Sequence, residues 1–221
     1  MKTLCNSLTV AVVLVGLVPN SYAGLIILGN LPPVNDGSFV SIDAGTDSAG
    51  SPFTSIHSAL SFTMPARSYP LSHVALRLGQ YNTVAGDVAE IGIYGDDGND
   101  RPGALISLLS NPPSGSDDIA QFNFEPQPSL TLSASTKYWL VVDASEGEYA
   151  WRRSGPIVMP TSEVGATFGK ELLFIQEVPR DDSPNISNFE IVTLIPEPST
   201  AGLVWVILGG LFSQRRLLSH S

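Results

Sequence analysis

The sequence predicts an all-β fold: one β-sandwich or jelly-roll-like domain flanked by two short terminal segments that are not part of it. Three observations lead to this prediction. Apolar and polar residues alternate along many short segments, clusters rich in Gly, Pro, Asn and Asp separate those segments, and no segment keeps a helical period for more than about two turns. A chain of 221 residues has room for one domain of ordinary size and two tails.

Four segments alternate with period two, so we expect each to be a strand with one buried and one solvated face. Their apolar positions are Leu60, Phe62 and Met64; Val74, Leu76 and Leu78; Ala89, Ile91 and Ile93; and Ala120, Phe122 and Phe124. Residues 138–142 are apolar at consecutive positions, which predicts a central strand with both faces buried. Residues 172–175 and 189–192 have the same character, and 25–28 is expected to be a first or edge strand.

Turn-forming residues separate these strands at 35–37, 95–98, 111–115 and 146–147. The large aromatic side chains are expected to fill the core between the two sheets. They are Tyr138, Trp139 and Trp151.

Composition excludes several classes of protein. Asp and Glu outnumber Lys and Arg by 21 to 11, for a formal charge of −10, whereas a nucleic-acid-binding protein needs a basic surface. No nucleic-acid partner is therefore expected. Lys/Glu-rich heptads typical of coiled coils are also missing from the sequence. An acidic body repels polyanions, so binding to polysaccharide there requires neutral sugars or a bridging cation.

The first 23 residues have the order of a secretory signal peptide, which makes the Sec export machinery an expected partner. Lys2 provides a positive start, residues 8–18 form an apolar run, and small residues precede a cleavage point between Ala23 and Gly24. A buried N-terminal strand or helix is the alternative interpretation. Cleavage also removes Cys5, the single cysteine, so the mature chain is expected to have neither disulfides nor thiolate sites.

Residues 195–221 combine three features in order: a stiff Pro-rich start, an uncharged apolar run and a basic end. Their residues are Pro196, Glu197 and Pro198; then 201–212; then Arg215 and Arg216. The apolar run as a helix covers roughly 18 Å, less than the roughly 30 Å of a bilayer core. We expect a short apolar helix whose arginines stay in the cytoplasm and which a membrane enzyme recognises and removes. A retained single-pass anchor is the alternative.

This arrangement behind an export signal resembles the PEP-CTERM sorting signal of Gram-negative bacteria. The resemblance implies processing by an exosortase, a multi-spanning membrane enzyme, with Pro196, Glu197 and Pro198 marking the processing region. It also implies transient membrane anchoring followed by a location at the cell surface or outside the cell. The PEP-CTERM signal is associated with bacteria that make extracellular polysaccharide, so the resemblance implies extracellular polysaccharide as a candidate partner.

The body of the chain, residues 24–194, carries a second resemblance. Its motifs, in order, are 91–94, an acidic turn leading into 101–105, then 122–124, 130–141 and 149–151. Together they resemble the choice-of-anchor β-sandwich group, in particular the type called choice-of-anchor R, which is found upstream of interchangeable sorting tails. The resemblance implies fold and location, and it implies no catalytic residue.

Two groups of residues are candidates for binding. Asp96, Asp97 and Asp100 form an oxygen-rich loop that suits calcium, although the spacing is not that of an EF-hand and an ordinary exposed turn explains it too. Tyr149 and Trp151, together with Trp139, are candidates for a sugar-stacking platform, with core packing as the alternative.

The other polar residues are given structural roles. His57 and His73, the histidines of the body, are expected at the surface or in packing, and Arg152 with Arg153 at a solvated strand end. No Gly-x-Ser-x-Gly, Walker or His-Glu-x-x-His motif occurs in the sequence.

The sequence therefore favours an exported, non-enzymatic protein of the bacterial surface or extracellular matrix, with a structural or adhesive β-domain and no cofactor. A carbohydrate-binding module is the first alternative. A secreted glycoside hydrolase using paired carboxylates is the least favoured one.

Overall fold

The structure is a computed structural model that describes residues 22–45, 55–176, 178–180 and 185–196. Within these residues the chain forms strands, turns and loops but no helix, so the all-β prediction is confirmed. Gly24–Ile195 forms one compact unit.

Fourteen strands lie in the described part of the chain. They are β1 Tyr22–Gly29, β2 Ser38–Asp43, β3 Ile56–Thr63, β4 Tyr69–Leu71, β5 His73–Gly79, β6 Val88–Asp96, β7 Pro102–Ser110, β8 Ala120–Pro126, β9 Leu130–Leu132, β10 Lys137–Glu146, β11 Glu148–Arg153, β12 Thr167–Ile175, β13 Val178–Arg180 and β14 Phe189–Pro196. The segments predicted to be strands lie within these elements, except that Met64 follows the last residue of β3.

Eight of the described strands pair into a closed ring. Its order is β5-β11-β2-β3-β10-β6-β7-β8, and β8 pairs back with β5. Strands β14 and β1 extend the sheet from β5, β12 and β13 extend it from β3, and β4 pairs with β9 separately. The prediction of a sandwich of two separate sheets is therefore corrected: the layers are hydrogen-bonded to each other and form a barrel with extra strands.

The ring has two halves, which explains why its sequence has the pattern of a sandwich. We call β3, β10, β6 and β7 the first half, and β8, β5, β11 and β2 the second half. The halves meet through one pair between β2 and β3, Asp43 with Ile56, and through two pairs between β7 and β8. Because so few residues pair between the halves, each strand keeps the apolar and polar alternation that it would have in a separate sheet.

The main core lies between the two halves and receives the inward side chains of both. Its largest fully buried members are Trp151, Tyr81, Tyr149, Phe62, Phe124 and Phe189. Phe122 and Phe124 of β8 are buried while Gln121 and Asn123 are exposed, as the alternation predicts. The core positions predicted for β3, β5, β6 and β8 are thus confirmed, apart from Ala120, which is only partly buried.

Two of the alternating strands are buried on both faces, contrary to the prediction of a solvated face. Ala75 of β5 and Ser61 of β3 are both fully buried. Strand β12 packs beside β3, where the Ser61 hydroxyl accepts a hydrogen bond from the Lys170 amide over 3.0 Å. For β3, the neighbouring strand β12 therefore contacts a position that the alternation assigns to solvent.

Strand β10 is central, between β3 and β6, and apolar on both faces, as predicted. Tyr138, Leu140 and Val142 belong to the main core. Trp139 and Val141 alternate with them and join Ala59, Leu172 and Phe174 in a second buried cluster. The prediction that Trp139 fills the space between the halves is therefore wrong. Trp139 lies on the opposite face of the first half, which we call the outer face.

The terminal predictions lie mostly outside the described residues. Strand β1 contains Ala23 and Gly24 of the expected cleavage point, and β14 ends at Pro196. Glu197, Pro198, Arg215 and Arg216 lie outside the described residues. In the part of the chain that the structure does describe, no helix has the length and apolar character needed to cross a membrane.

Candidate functional site

A pocket of about 290 Å³ opens on the outer face of the first half. It is lined by side chains from β3, β6, β10 and β12 and by the turn that joins β6 to β7. The second buried cluster supplies its apolar part through Val141 and Phe174. Thus the same packing that covers the outer face of β10 also forms the base of the pocket.

His57 and Phe174 form one wall. They are paired across β3 and β12, and their rings stack with centroids 4.5 Å apart and planes 12° apart. Such a stack holds the imidazole in one orientation. His57, which we expected at the surface or in packing, does pack, and it also lines the pocket.

Asp143 lies beside this histidine at the edge of the pocket. Its Oδ2 is 3.9 Å from His57 Nδ1, a buried nitrogen that has no hydrogen-bond partner among the described atoms. The Oδ1 atom accepts a hydrogen bond from the amide of Ala144 over 2.8 Å. The Asp143 side chain keeps 34% of its surface exposed, so a molecule in the pocket can reach it.

Tyr94 forms a second aromatic wall and depends on a glycine next to it. A Cβ placed on Gly92 would lie 2.8 Å from the Tyr94 ring and 3.0 Å from Leu105. Glycine at this position is therefore what lets the ring lie against the sheet. Burial, helped by the negative charges of Glu90 and Asp143, raises the pKa of the Tyr94 hydroxyl, which stays protonated at neutral pH.

The turn between β6 and β7 contributes the remaining polar groups, Asp97 and Arg101. Asp97 Oδ1 accepts hydrogen bonds from the amides of Asn99 and Arg101, over 2.7 and 3.2 Å. These bonds, the one from Asn99 foremost, lower the pKa of Asp97. Gly103 lies close to the backbone of this turn. A Cβ at this position would be 3.1 Å from the Asp97 nitrogen, so glycine permits the close approach.

Two lysines hold this turn against the outer face. Lys137 Nζ lies 3.1 Å from Asp96 Oδ1 and also contacts Asp100, while Lys170 Nζ lies 2.7 Å from Asp100 Oδ2. Asp96 Oδ1 accepts a further hydrogen bond from Trp139 Nε1 over 2.8 Å. That bond, followed by the one from Lys137, lowers the pKa of Asp96, and bonds from Lys137 and Lys170 lower the pKa of Asp100.

These contacts bear on the calcium hypothesis. Asp96 and Asp100 are bound to Lys137, Lys170 and Trp139, and Asp97 caps its own turn, so the three carboxylates do not converge on one point. Within the described ranges, no three His, Cys, Asp or Glu side chains are grouped as metal ligands would be. The local turn chemistry accounts for this loop.

Of the two interpretations of these aromatic residues, core packing is confirmed and the sugar-stacking platform is wrong, because the aromatic faces are covered. Trp139 and Trp151 are fully buried and Tyr149 is 1% exposed. Trp151 Nε1 donates to the carbonyl of Asn188 over 3.0 Å, and burial raises the pKa of the Tyr149 hydroxyl strongly. These residues pack the interior and present no face to a ligand.

Sequence reasoning missed the pocket. Its polar residues are distributed over segments between 57 and 143, and its aromatic wall includes Phe174. The motif 101–105 contains Arg101, but nothing in the spacing relates it to His57 or Asp143.

No family model matches the chain, and no curated protein is significantly similar to it in sequence.

Proposed function

We propose that this chain is an exported protein of the bacterial cell surface or extracellular matrix, sorted through a PEP-CTERM type signal and without enzyme activity. The body is of the choice-of-anchor R type, and its role is structural or adhesive. The Sec machinery exports the chain, and an exosortase-type membrane enzyme processes its C-terminal segment. The supporting motifs are those of the sequence: an export signal in front and the Pro196–Glu197–Pro198 segment behind.

One observation carries this proposal: the bounds of the compact unit coincide with the two sorting elements. The unit covers Gly24–Ile195, whereas the expected signal cleavage falls between Ala23 and Gly24 and the motif begins at Pro196. Cleavage after Ala23 would remove two residues of β1 and keep Gly24–Gly29. A body that ends where its processing motif begins can be released or anchored without losing a core strand.

Replacement of Pro196, Glu197 and Pro198 by three alanines tests the sorting role. We expect export and loss of residues 1–23 to continue, because the N-terminal signal is untouched, while C-terminal processing stops. Intact-mass spectrometry of the protein in the surface fraction detects both the N-terminal and the C-terminal cleavage. The matched control replaces Ser199 and Thr200 by alanine, directly beside the motif, and should be processed normally. Identical mature mass and location for the motif variant and its parent would overturn the proposal.

A glycoside hydrolase remains the least favoured alternative. Asp97 and Asp143 both line the pocket, but the hydrolytic acid of such enzymes needs a raised pKa, whereas hydrogen bonds lower the pKa of Asp97.

A further inference from the structure

We propose that the outer-face pocket binds one neutral sugar unit, through Arg101, Asp97 and Asp143 and against the rings of Tyr94 and Phe174. This deepens the proposed function and rests on it for its setting, since an exported body meets extracellular polysaccharide. The binding residues differ from the buried tryptophans and tyrosine that the sequence offered as candidates for a sugar platform.

The polar groups of the pocket include fixed donors and fixed acceptors within one small space. The Arg101 guanidinium can only donate hydrogen bonds, and the carboxylates of Asp97 and Asp143 can only accept them. A sugar hydroxyl does both at once, so neighbouring hydroxyls on one ring can satisfy both kinds of group. A ligand that only donates would leave the Arg101 guanidinium without a hydrogen bond, and a ligand that only accepts would make no hydrogen bond to either carboxylate.

Arg101 is available for such a contact. Within the described residues its guanidinium makes no hydrogen bond or ion pair, whereas Arg77 pairs with Asp36 and Arg153 with Glu171. Its backbone is fixed, since the Arg101 amide donates to Asp97. The side chain is thus positioned at the pocket by its turn while its charged end is not used by the fold.

The apolar walls of the pocket suit the C–H groups of a sugar ring. Tyr94, which is partly exposed, supplies aromatic carbon, while Phe174 and Val141 are 8% and 7% exposed and add apolar carbon at the base of the pocket. Sugar rings carry patches of C–H groups that pack on apolar carbon while the hydroxyls reach the polar groups. The volume of about 290 Å³ lies at the lower end of small-molecule sites, which suits one sugar unit in preference to a long segment.

Charge selects a neutral ligand over an anionic one. Two carboxylates and one guanidinium line the pocket, and the chain as a whole carries a formal charge of −10. An acidic sugar such as glucuronate would meet repulsion from both carboxylates. A small organic cation is attracted by the two carboxylates but has no acceptor atom, so it would leave the Arg101 guanidinium without a hydrogen bond.

The test uses the full chain purified in a detergent with a polyoxyethylene headgroup, because a detergent with a sugar headgroup would compete. Saturation-transfer NMR and titration calorimetry measure binding of glucose, galactose, mannose and N-acetylglucosamine, with glucuronate and tetramethylammonium as charged probes. We expect saturable binding of at least one neutral sugar. Arg101→Ala and Asp143→Asn should each weaken it by about tenfold or more, because each removes hydrogen bonds to a charged group.

Arg180→Ala is the matched control, since Arg180 is an exposed arginine of β13 outside the pocket. It should bind as the parent does, and circular dichroism should show that all variants are folded. The proposal is overturned if no neutral sugar binds saturably, if Arg101→Ala binds as tightly as the parent, or if either charged probe binds more tightly than every neutral sugar. Because binding is measured on purified chain, its failure leaves the tail-processing result intact, and the reverse also holds.

Discussion

At the scale of single residues, the two tryptophans of the described body show how neighbouring strands determine what a side chain does. Trp151 points from β11 into the main core, whereas Trp139 of β10 lies in the second cluster under the turn that carries Asp96. Both are fully buried, and each indole N–H has a partner. Their burial removes them from any binding surface and makes them important for stability.

Trp151→Ala should lower the free energy of unfolding by about 3–5 kcal/mol, because it leaves a large cavity in the main core. The carbonyl of Asn188 also loses the hydrogen bond from Trp151 Nε1. Thermal and denaturant unfolding measure the change. Met159→Ala is the control: Met159 is 60% exposed, so its loss should change stability by less than about 0.5 kcal/mol. A melting temperature equal to that of the parent would contradict the role of Trp151.

At the scale of elements, a buried ion pair links β11 to β12, two strands that do not pair with each other in the sheet. Arg153 Nη2 lies 2.6 Å from Glu171 Oε1, and the residues are 7% and 5% exposed. Ser58 and Ser187 donate to the same carboxylate oxygen over 3.0 and 2.8 Å, and the Ser187 amide donates to Oε2 over 2.8 Å. The expected solvated strand end is thus wrong for Arg153, which is buried.

Glu171→Leu should destabilise the protein by about 3–5 kcal/mol, because it leaves the Arg153 guanidinium buried without a counter-charge. The double variant Arg153→Met, Glu171→Leu should be more stable than Glu171→Leu alone, since both charges are then removed. Chemical denaturation of the variants measures the coupling.

An exposed pair provides the control for that experiment. Lys170 and Asp100 have side chains that are 38% and 53% exposed, so Lys170→Met should lower stability by less than about 1 kcal/mol. Equal losses for Glu171→Leu and Lys170→Met would show that burial of the Arg153–Glu171 pair has no energetic consequence.

At the scale of the whole molecule, the ring of strands is paired unevenly. In β10, residues 138–142 pair with β3 on one side and with β6 on the other. In contrast, β7 pairs with β6 over most of its length but meets β8 only at Leu109 and Ser110. Its Leu105, Ile106 and Leu108 side chains are between 44% and 46% exposed.

Hydrogen exchange of the full chain should therefore rank these strands. Amides of 138–142 should exchange slowest, since their opening requires loss of two ladders, while 102–108 should include fast amides on the side that lacks a partner strand. Exchange followed by mass spectrometry of short peptides measures this, with 121–124 of β8 as an intermediate reference. Equal protection of 138–142 and 102–108 would argue against the unequal closure of the barrel.

The predictability of the fold follows from local patterning. A strand that is half buried alternates, as β8 does through Phe122 and Phe124, and a strand that is buried on both faces can be apolar at consecutive positions, as β10 is over residues 138–142. The acidic charge and the turn positions are likewise local properties of the chain. The export and sorting motifs are also local and stay predictions that the experiments above address.

Sequence alone determined eight of the fourteen described strands and which side of several of them is apolar, because these depend on neighbours along the chain. The eight are β1, β3, β5, β6, β8, β10, β12 and β14. Tertiary structure alone decided the pairings that close the ring, Asp43 with Ile56 among them, and the meeting of Arg153 with Glu171. It also brought Arg101 to the pocket that His57 and Asp143 line. Such contacts cannot be predicted from the periodicity of a segment. They depend on strand register and on which strands become neighbours, and a single segment encodes neither.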